Sequence, residues 1–271
     1  MLKLRLQTTT QTPIELDGIL PTAIRGRSMA EVERLPIFHG NQQVALAELF
    51  AVTGDTEEER IELEGDLSGV HRMGAKLDGG EIHVAGRAGR HVGSEMKRGS
   101  IIVEGDVSDW LGAQMRGGLI HVRGSAGNLA GGAYRGSVRG MTGGKILIDG
   151  SAGNEVGHSM RRGMIAVGKD CGEFVGVNMI AGTIFVFGNC GERPAAGMRR
   201  GTVGLLGQKS PNLLPTFRGG CLYQPLFLQL LFRSLAKEEF LVPQETWRAG
   251  FRIFHGDSIS GGRGEVLLRE N

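Results

Sequence analysis

Between residues 61 and 207, apolar and polar positions alternate in short bursts that return at a fixed interval. Each burst runs apolar-x-apolar, then glycine, a polar turn, a methionine, basic or neutral residues and glycine again. The apolar pairs are Ile61/Leu63, Ile82/Val84, Ile101/Val103, Ile120/Val122, Ile146/Ile148, Ile165/Val167, Ile184/Val186 and Val203/Leu205. Alternation of this kind, closed by glycine, predicts eight half-buried strands. Met96, Met115, Met141, Met160, Met179 and Met198 give the register, with spacings of 19, 26, 19, 19 and 19 residues. The 26 is one period plus seven inserted residues, Tyr134 to Gly140, and Met73 stands 23 residues before Met96.

Two more apolar columns keep the same period. One reads Leu67, Ala88, Val107, Ala126, Ala152, Cys171 and Cys190, and the other Val92, Leu111, Ala130, Val156 and Val175. Nineteen residues are too few for a strand, a return helix and two loops, but they suit one coil of a parallel β-helix with rungs about 4.8 Å apart. The expected fold is therefore all-β, a solenoid of about eight 19-residue coils over residues 61–210. Residues 1–60 and 211–271 are expected to cap its ends, because open terminal rungs invite edge pairing. Within these flanks Leu2, Leu4 and Leu6 predict a strand over 1–7, and Ser28 to Arg34 a short capped helix. Val44 to Val52 is a further apolar segment. Pro225 to Phe240 predicts a helix that is apolar on more than one face.

Glycine accounts for 46 of 271 residues, more than twice the usual share of about 7%, as repeated corners require. A net charge of +2 removes bulk electrostatics as a drive toward nucleic acid. Seven of the 31 basic residues are lysine, leaving 24 arginines, the side chain suited to bidentate anion contacts. Three cysteines make neither a disulfide framework nor a metal motif. With no cationic, apolar leader and no apolar run of about 18 residues, a soluble cytoplasmic protein without a membrane partner is expected.

The chain has no phosphate-cradling glycine motif. His83 and His121 share an outward slot two rungs apart with Ile102 between them, roughly 10 Å and too far for one metal ion. Glu62, Glu64, Glu81, Glu104 and Asp149 lack an aromatic cleft and read as a solvated face. No catalytic residue, metal site or cofactor is expected on this chain. The residues after the methionines are more informative: Lys97, Arg98, Arg116, Arg161, Arg162, Arg199 and Arg200, with Arg135 and Arg139 in the insertion and Ile180–Ala181 as a gap. Stacking predicts a file of cations up one edge, either merely solvated or facing an anionic ligand or partner. Outward strand positions also turn apolar late in the chain, at Leu147, Ala166, Phe185, Phe187 and Leu206. Phe185, Phe187 and Leu206 are candidates for a partner interface, unless the C-terminal helix covers them.

The G-x-M-[KR]-x-G-x-I-x-V-x-G phrases, as in GSEMKRGSIIVEGDVSDWLGAQMRGGLIHVRG, resemble the glycine-rich right-handed β-helix of two families. One is the C-terminal domain of the glutamate synthase large subunit. The other is the C subunit of formylmethanofuran dehydrogenase, with its counterpart in the bacterial formyltransferase/hydrolase complex. LPIFHGNQQVALAELF, EGDLSGVHRMGAKLDGGEIHVAG, the GAYRGSVRGMTGGKI insertion and FHGDSISGGRGEVLL resemble the second family across essentially the whole chain. The resemblance implies a non-catalytic subunit whose partners are formyltransferase, amidohydrolase-like and pterin-subunit-like chains. Metals, iron–sulfur clusters and pterin then belong to those partners. It further implies passage of a formyl group from formyl-tetrahydromethanopterin to a methanofuran-type carrier and its release as formate. The glutamate-rich tail of such a carrier is a candidate occupant of the arginine file. The alternatives are the archaeal dehydrogenase subunit, a free-standing glutamate-synthase-type domain and a stand-alone β-helix enzyme.

Overall fold

A computed structural model describes residues 1–8 and 10–270. The strands of its main sheet are β1 (Leu2–Leu6), β2 (Phe50–Gly54), β3 (Arg60–Glu64), β4 (Asp78–Val84), β5 (Arg98–Val103), β6 (Leu119–Val122) and β7 (Lys145–Ile148). They continue with β8 (Met164–Val167), β9 (Thr183–Val186), β10 (Arg200–Leu205), β11 (Arg218–Tyr223), β12 (Gly250–Gly256) and β13 (Arg263–Glu270). Together they form one 13-stranded sheet in the order β11-β12-β13-β10-β9-β8-β7-β6-β5-β4-β3-β1-β2. Among the described residues the fold is mostly β, with four α-helices.

From β3 to β10 every pairing is parallel, and the isoleucine column is continuous: Ile61, Ile82, Ile101, Ile120, Ile146, Ile165, Ile184 and Val203 are successive partners. All eight predicted apolar pairs are buried. Parallel bridges join the second column in sequence, from Leu67 through Ala88, Val107, Ala126, Ala152 and Cys171 to Cys190. Backbone bonds stack the third as well, Gly112 N–H donating to Val92 O at 2.8 Å and Gly131 N–H to Leu111 O at 2.7 Å. Both column assignments, and the strand alternation, follow the nineteen-residue spacing directly.

At the first end β1 lies parallel to β3, and β2 closes it antiparallel. At the other end β13 lies parallel to β10, followed by the antiparallel β12 and β11. A small sheet of Ile14–Glu15, Pro36–His39, Gln42–Ala45 and Val70–His71 flanks the first coil. The helix Met29–Glu33 is set by a capping box: the Ser28 side chain accepts from the Glu31 N–H, and the Glu31 carboxylate accepts from the Ser28 N–H at 2.8 Å.

The C-terminal helix spans Leu226–Lys237. Its Leu228, Phe232 and Leu235 bury Leu147, Ala166, Phe185, Phe187 and Leu206, with Phe232 5.8 Å from Phe185 and 5.9 Å from Phe187 between ring centroids. The partner interface expected at Phe185, Phe187 and Leu206 is thus corrected: these side chains are already covered by the chain's own helix. Burying each stabilises by about 1.5–3 kcal/mol, so the late apolar shift along the strands is a second core. The helix also ends before Phe240. Glu239 takes a left-handed φ of 60°, which turns Phe240 back onto Phe187 (5.5 Å) and His121 (6.5 Å). Lys145 Nζ–Glu238 and Arg123 Nη2–Glu239, at 2.8 and 2.7 Å, fasten this end.

Candidate anion-binding groove

The position after each methionine is fixed by a backbone bond to the previous coil. Arg116 N–H donates to Met96 O (2.7 Å), Thr142 to Met115 O (2.7 Å), Arg161 to Met141 O (2.8 Å), Ile180 to Met160 O (2.7 Å) and Arg199 to Met179 O (2.8 Å). The stacked order is therefore Lys97, Arg116, Thr142, Arg161, Ile180 and Arg199. The neighbouring column runs Arg98, Gly117, Gly143, Arg162, Ala181 and Arg200. The file predicted from the sequence, with its gap at Ile180–Ala181, is corrected here by a second gap, because the insertion precedes Met141 and leaves Thr142–Gly143 on that coil. The cations fall into two groups.

The first group, Lys97, Arg98 and Arg116, is exposed and partly engaged. Arg116 lies 3.6 Å from Glu95, and Arg98 Nε donates to Asp78 O at 3.1 Å. The second group is Arg161, Arg162, Arg199 and Arg200, and none of the four forms an ion pair among the described residues. Ile180 and Ala181, the gap in the file, are short side chains between two arginine pairs. They form the floor of a groove. One open cavity of about 650 Å³ is lined by Arg139, Arg161, Arg199, Ser159, Asn178 and Ser260, among others. An adjoining cavity of about 460 Å³ is lined by Arg161, Arg162, Arg199, Arg200, Ile180 and Ala181. Arginines two rungs apart, roughly 10 Å, repel by only about 0.4 kcal/mol in water. That spacing tolerates the cluster and leaves guanidinium donors free for a multivalent anion.

Two more arginines extend this cationic edge. Arg263 lines neither cavity but is the register partner of Arg200 across β10 and β13. Its signal was present in the sequence, since Arg263-Gly264 precedes Val266 and Leu268 as Arg200-Gly201 precedes Val203 and Leu205. Arg139 reaches the groove from the insertion, whereas Arg135 is exposed and lines neither cavity. The insertion is anchored by Tyr134, which packs on Trp110 at 5.1 Å and shares a 3.0 Å hydrogen bond with His91 Nδ1. Gly140 N–H donates to Ser159 O at its far end. Ser159, Asn178 and Ser260, neutral donors scattered in sequence, gave no signal before folding.

The other chemistry-bearing residues are engaged elsewhere. His83 Nε2 bonds Glu104 at 2.9 Å, and Lys3 pairs with Glu62 at 2.9 Å and Glu64 at 3.5 Å. His121, buried, bonds Asp149 at 2.9 Å, and Asp149 also meets Arg123. Burial pushes the Cys190 thiol up to about 11 and the Cys171 thiol higher. No group of three or more His, Cys, Asp or Glu among the described residues is arranged to hold a metal ion. No helix among them is long and apolar enough to cross a membrane.

The model of the GXGXG motif family matches residues 69–213. The C subunit of the tungsten-containing formylmethanofuran dehydrogenase 2 of Methanothermobacter wolfeii is 37% identical over 87 residues, 31% of this chain and 32% of that protein. The C subunit of the molybdenum-containing formylmethanofuran dehydrogenase 1 of Methanosarcina barkeri is 38% identical over 83 residues, 29% of this chain and 28% of that protein. These matches span about a third of the length of the curated relatives. Along its whole length the chain resembles a chain in the crystal structure of the formyltransferase/hydrolase complex of Methylorubrum extorquens with methylofuran. The TM-score is 0.90 and the identity 33%, covering 99% of this chain and 100% of that one. The chain therefore belongs to the GXGXG motif family, as a homologue of the formylmethanofuran dehydrogenase C subunit.

Proposed function

We propose that this chain is the non-catalytic scaffold subunit of a formyltransferase/hydrolase complex in the cytoplasm. Such a complex passes a formyl group from formyl-tetrahydromethanopterin to a methanofuran-type carrier and releases formate. The observation that carries this is the full-length likeness to a chain of the Methylorubrum complex. In this proposal residues 61–210 wind as a right-handed parallel β-helix, a stiff prism roughly 35 Å long. Residues 1–60 and 211–271 cap it, and metals, clusters and pterin reside on partner chains. The arginine groove takes an acidic tail, either the glutamate-rich tail of the carrier or an acidic segment of a partner. Arg139, Arg161, Arg162, Arg199 and Arg200, which form no ion pair among the described residues, supply bidentate donors to successive carboxylates.

Local identity to the archaeal C subunits supports a second reading, a formylmethanofuran dehydrogenase subunit. Co-purification from the source, with mass spectrometry of the associated chains, separates the two. Formyltransferase and amidohydrolase-like chains, with no turnover by the isolated chain, are expected. A redox pterin subunit favours the dehydrogenase. Glutaminase and flavin partners, or turnover by the isolated chain, overturn both.

A further inference from the structure

The helix that covers Phe185 and Phe187 is apolar on its outer side too. Leu226 and Leu230, one turn apart, are 78% and 67% exposed, and Phe227 is 40% exposed beside them. Leu222 on β11 and Leu241 beyond the helix are exposed as well, at 54% and 83%. β11 is the last strand of the sheet, so one row of its backbone N–H and C=O groups has no strand partner.

The charges around this patch are one-sided. Glu238, Glu239, Glu245 and Glu270 are each paired, with Lys145, Arg123, Arg269 and Arg252. Arg218, Arg233, Lys237 and Arg248 are exposed and form no ion pair among the described residues. Leu226, Leu230, Arg233 and Lys237 follow one another at helical spacing, so a single stripe is apolar at one end and cationic at the other. A second copy of this chain would bring the exposed Arg218, Arg233, Lys237 and Arg248 together against the half-buried Glu265, which already accepts from Thr202 Oγ1, and this excess of like charge disfavours self-association.

We propose that the outer face of the C-terminal helix and the edge of β11 form a docking surface for a different protein chain that presents an apolar stripe bordered by carboxylates. This rests on the subunit proposal above. The exposed Cys221 on β11 is a reporter, since Cys171 is buried and Cys190 half-buried.

Iodoacetamide labelling of Cys221 is compared between the free full-length chain and the complex purified from its source. Labelling at least tenfold slower in the complex is expected. The Leu226→Glu/Leu230→Glu chain, with unchanged circular dichroism and thermal midpoint, should fail to enter the complex, and Arg233→Glu/Lys237→Glu should enter at least fivefold less well. Equal labelling rates, or normal assembly of the leucine variant, overturn the docking surface while leaving the subunit proposal standing. A chain that travels with no other chain overturns both. Dimers of the free chain by light scattering, with Cys221 protected, assign the surface to a second copy and overturn the different-chain proposal.

Discussion

Methionine and glycine are coupled between coils by a shared volume. A Cβ on Gly118 would sit 2.5 Å from Met96 Cε, and one on Gly144 2.7 Å from Met115 Cε. Both glycines also hold left-handed φ values of 88° and 90°, where a side chain adds strain. The repeat keeps the two residue types together because the methionine of one coil fills the space a side chain would need on the next. Gly144→Ala is expected to destabilise by about 1–3 kcal/mol, read as a lowered denaturation midpoint. Adding Met115→Ala should not restore wild-type stability, since the backbone strain persists. The thiols give a second residue-scale expectation. With its thiol held up at about 11, Cys190 carries almost no thiolate at pH 8, and Cys171 carries less. Native alkylation should modify one cysteine per chain, and denaturant should expose all three.

Among the elements, the seven-residue insertion is held as an arm by the Tyr134–Trp110–His91 stack. Tyr134→Ala is expected to speed amide exchange across residues 134–140 while sparing β6 and β7. Burial, reinforced by nearby arginines, holds the ring pKa of His91 and of His71 below the usual 6.5. As pH falls below about 6.5 the unfolded chain binds these protons before the folded chain does. Stability contributed by the neutral rings is therefore present above that pH and lost on acidification, levelling off below the folded pKa. Thermal midpoints between pH 7.5 and 5 should fall, and His91→Asn should flatten part of the slope. The strand columns were legible because one residue type recurs at one spacing and burial demands it. The arginine grouping was only half legible. Counting from each methionine hides that Thr142–Gly143 occupies a coil, and it misses Arg263, which the chain returns to the ladder after residues 211–262. Cover of Phe185 by Phe232 was one of two outcomes the pattern left open, because an apolar outer face does not say which element lies on it.

In the whole molecule the two faces of the sheet differ in task. The inward isoleucine column and the helix-covered outward face stabilise the fold, while the loop edge carries Arg161, Arg162, Arg199 and Arg200, which form no ion pair among the described residues. The proposed role places something acidic on this edge, at the arginines flanking Ile180 and Ala181. Charge-assisted hydrogen bonds contribute about 1.5–3 kcal/mol each, and at an open site they weaken as salt rises. The most direct measurement is the carrier KM of the intact complex carrying Arg161→Glu/Arg162→Glu, taken at low and high ionic strength. A KM raised at least tenfold at low salt with assembly intact, or loss of assembly itself, with the difference shrinking as salt rises, is the predicted result. Unchanged assembly and unchanged KM at low salt would contradict the account.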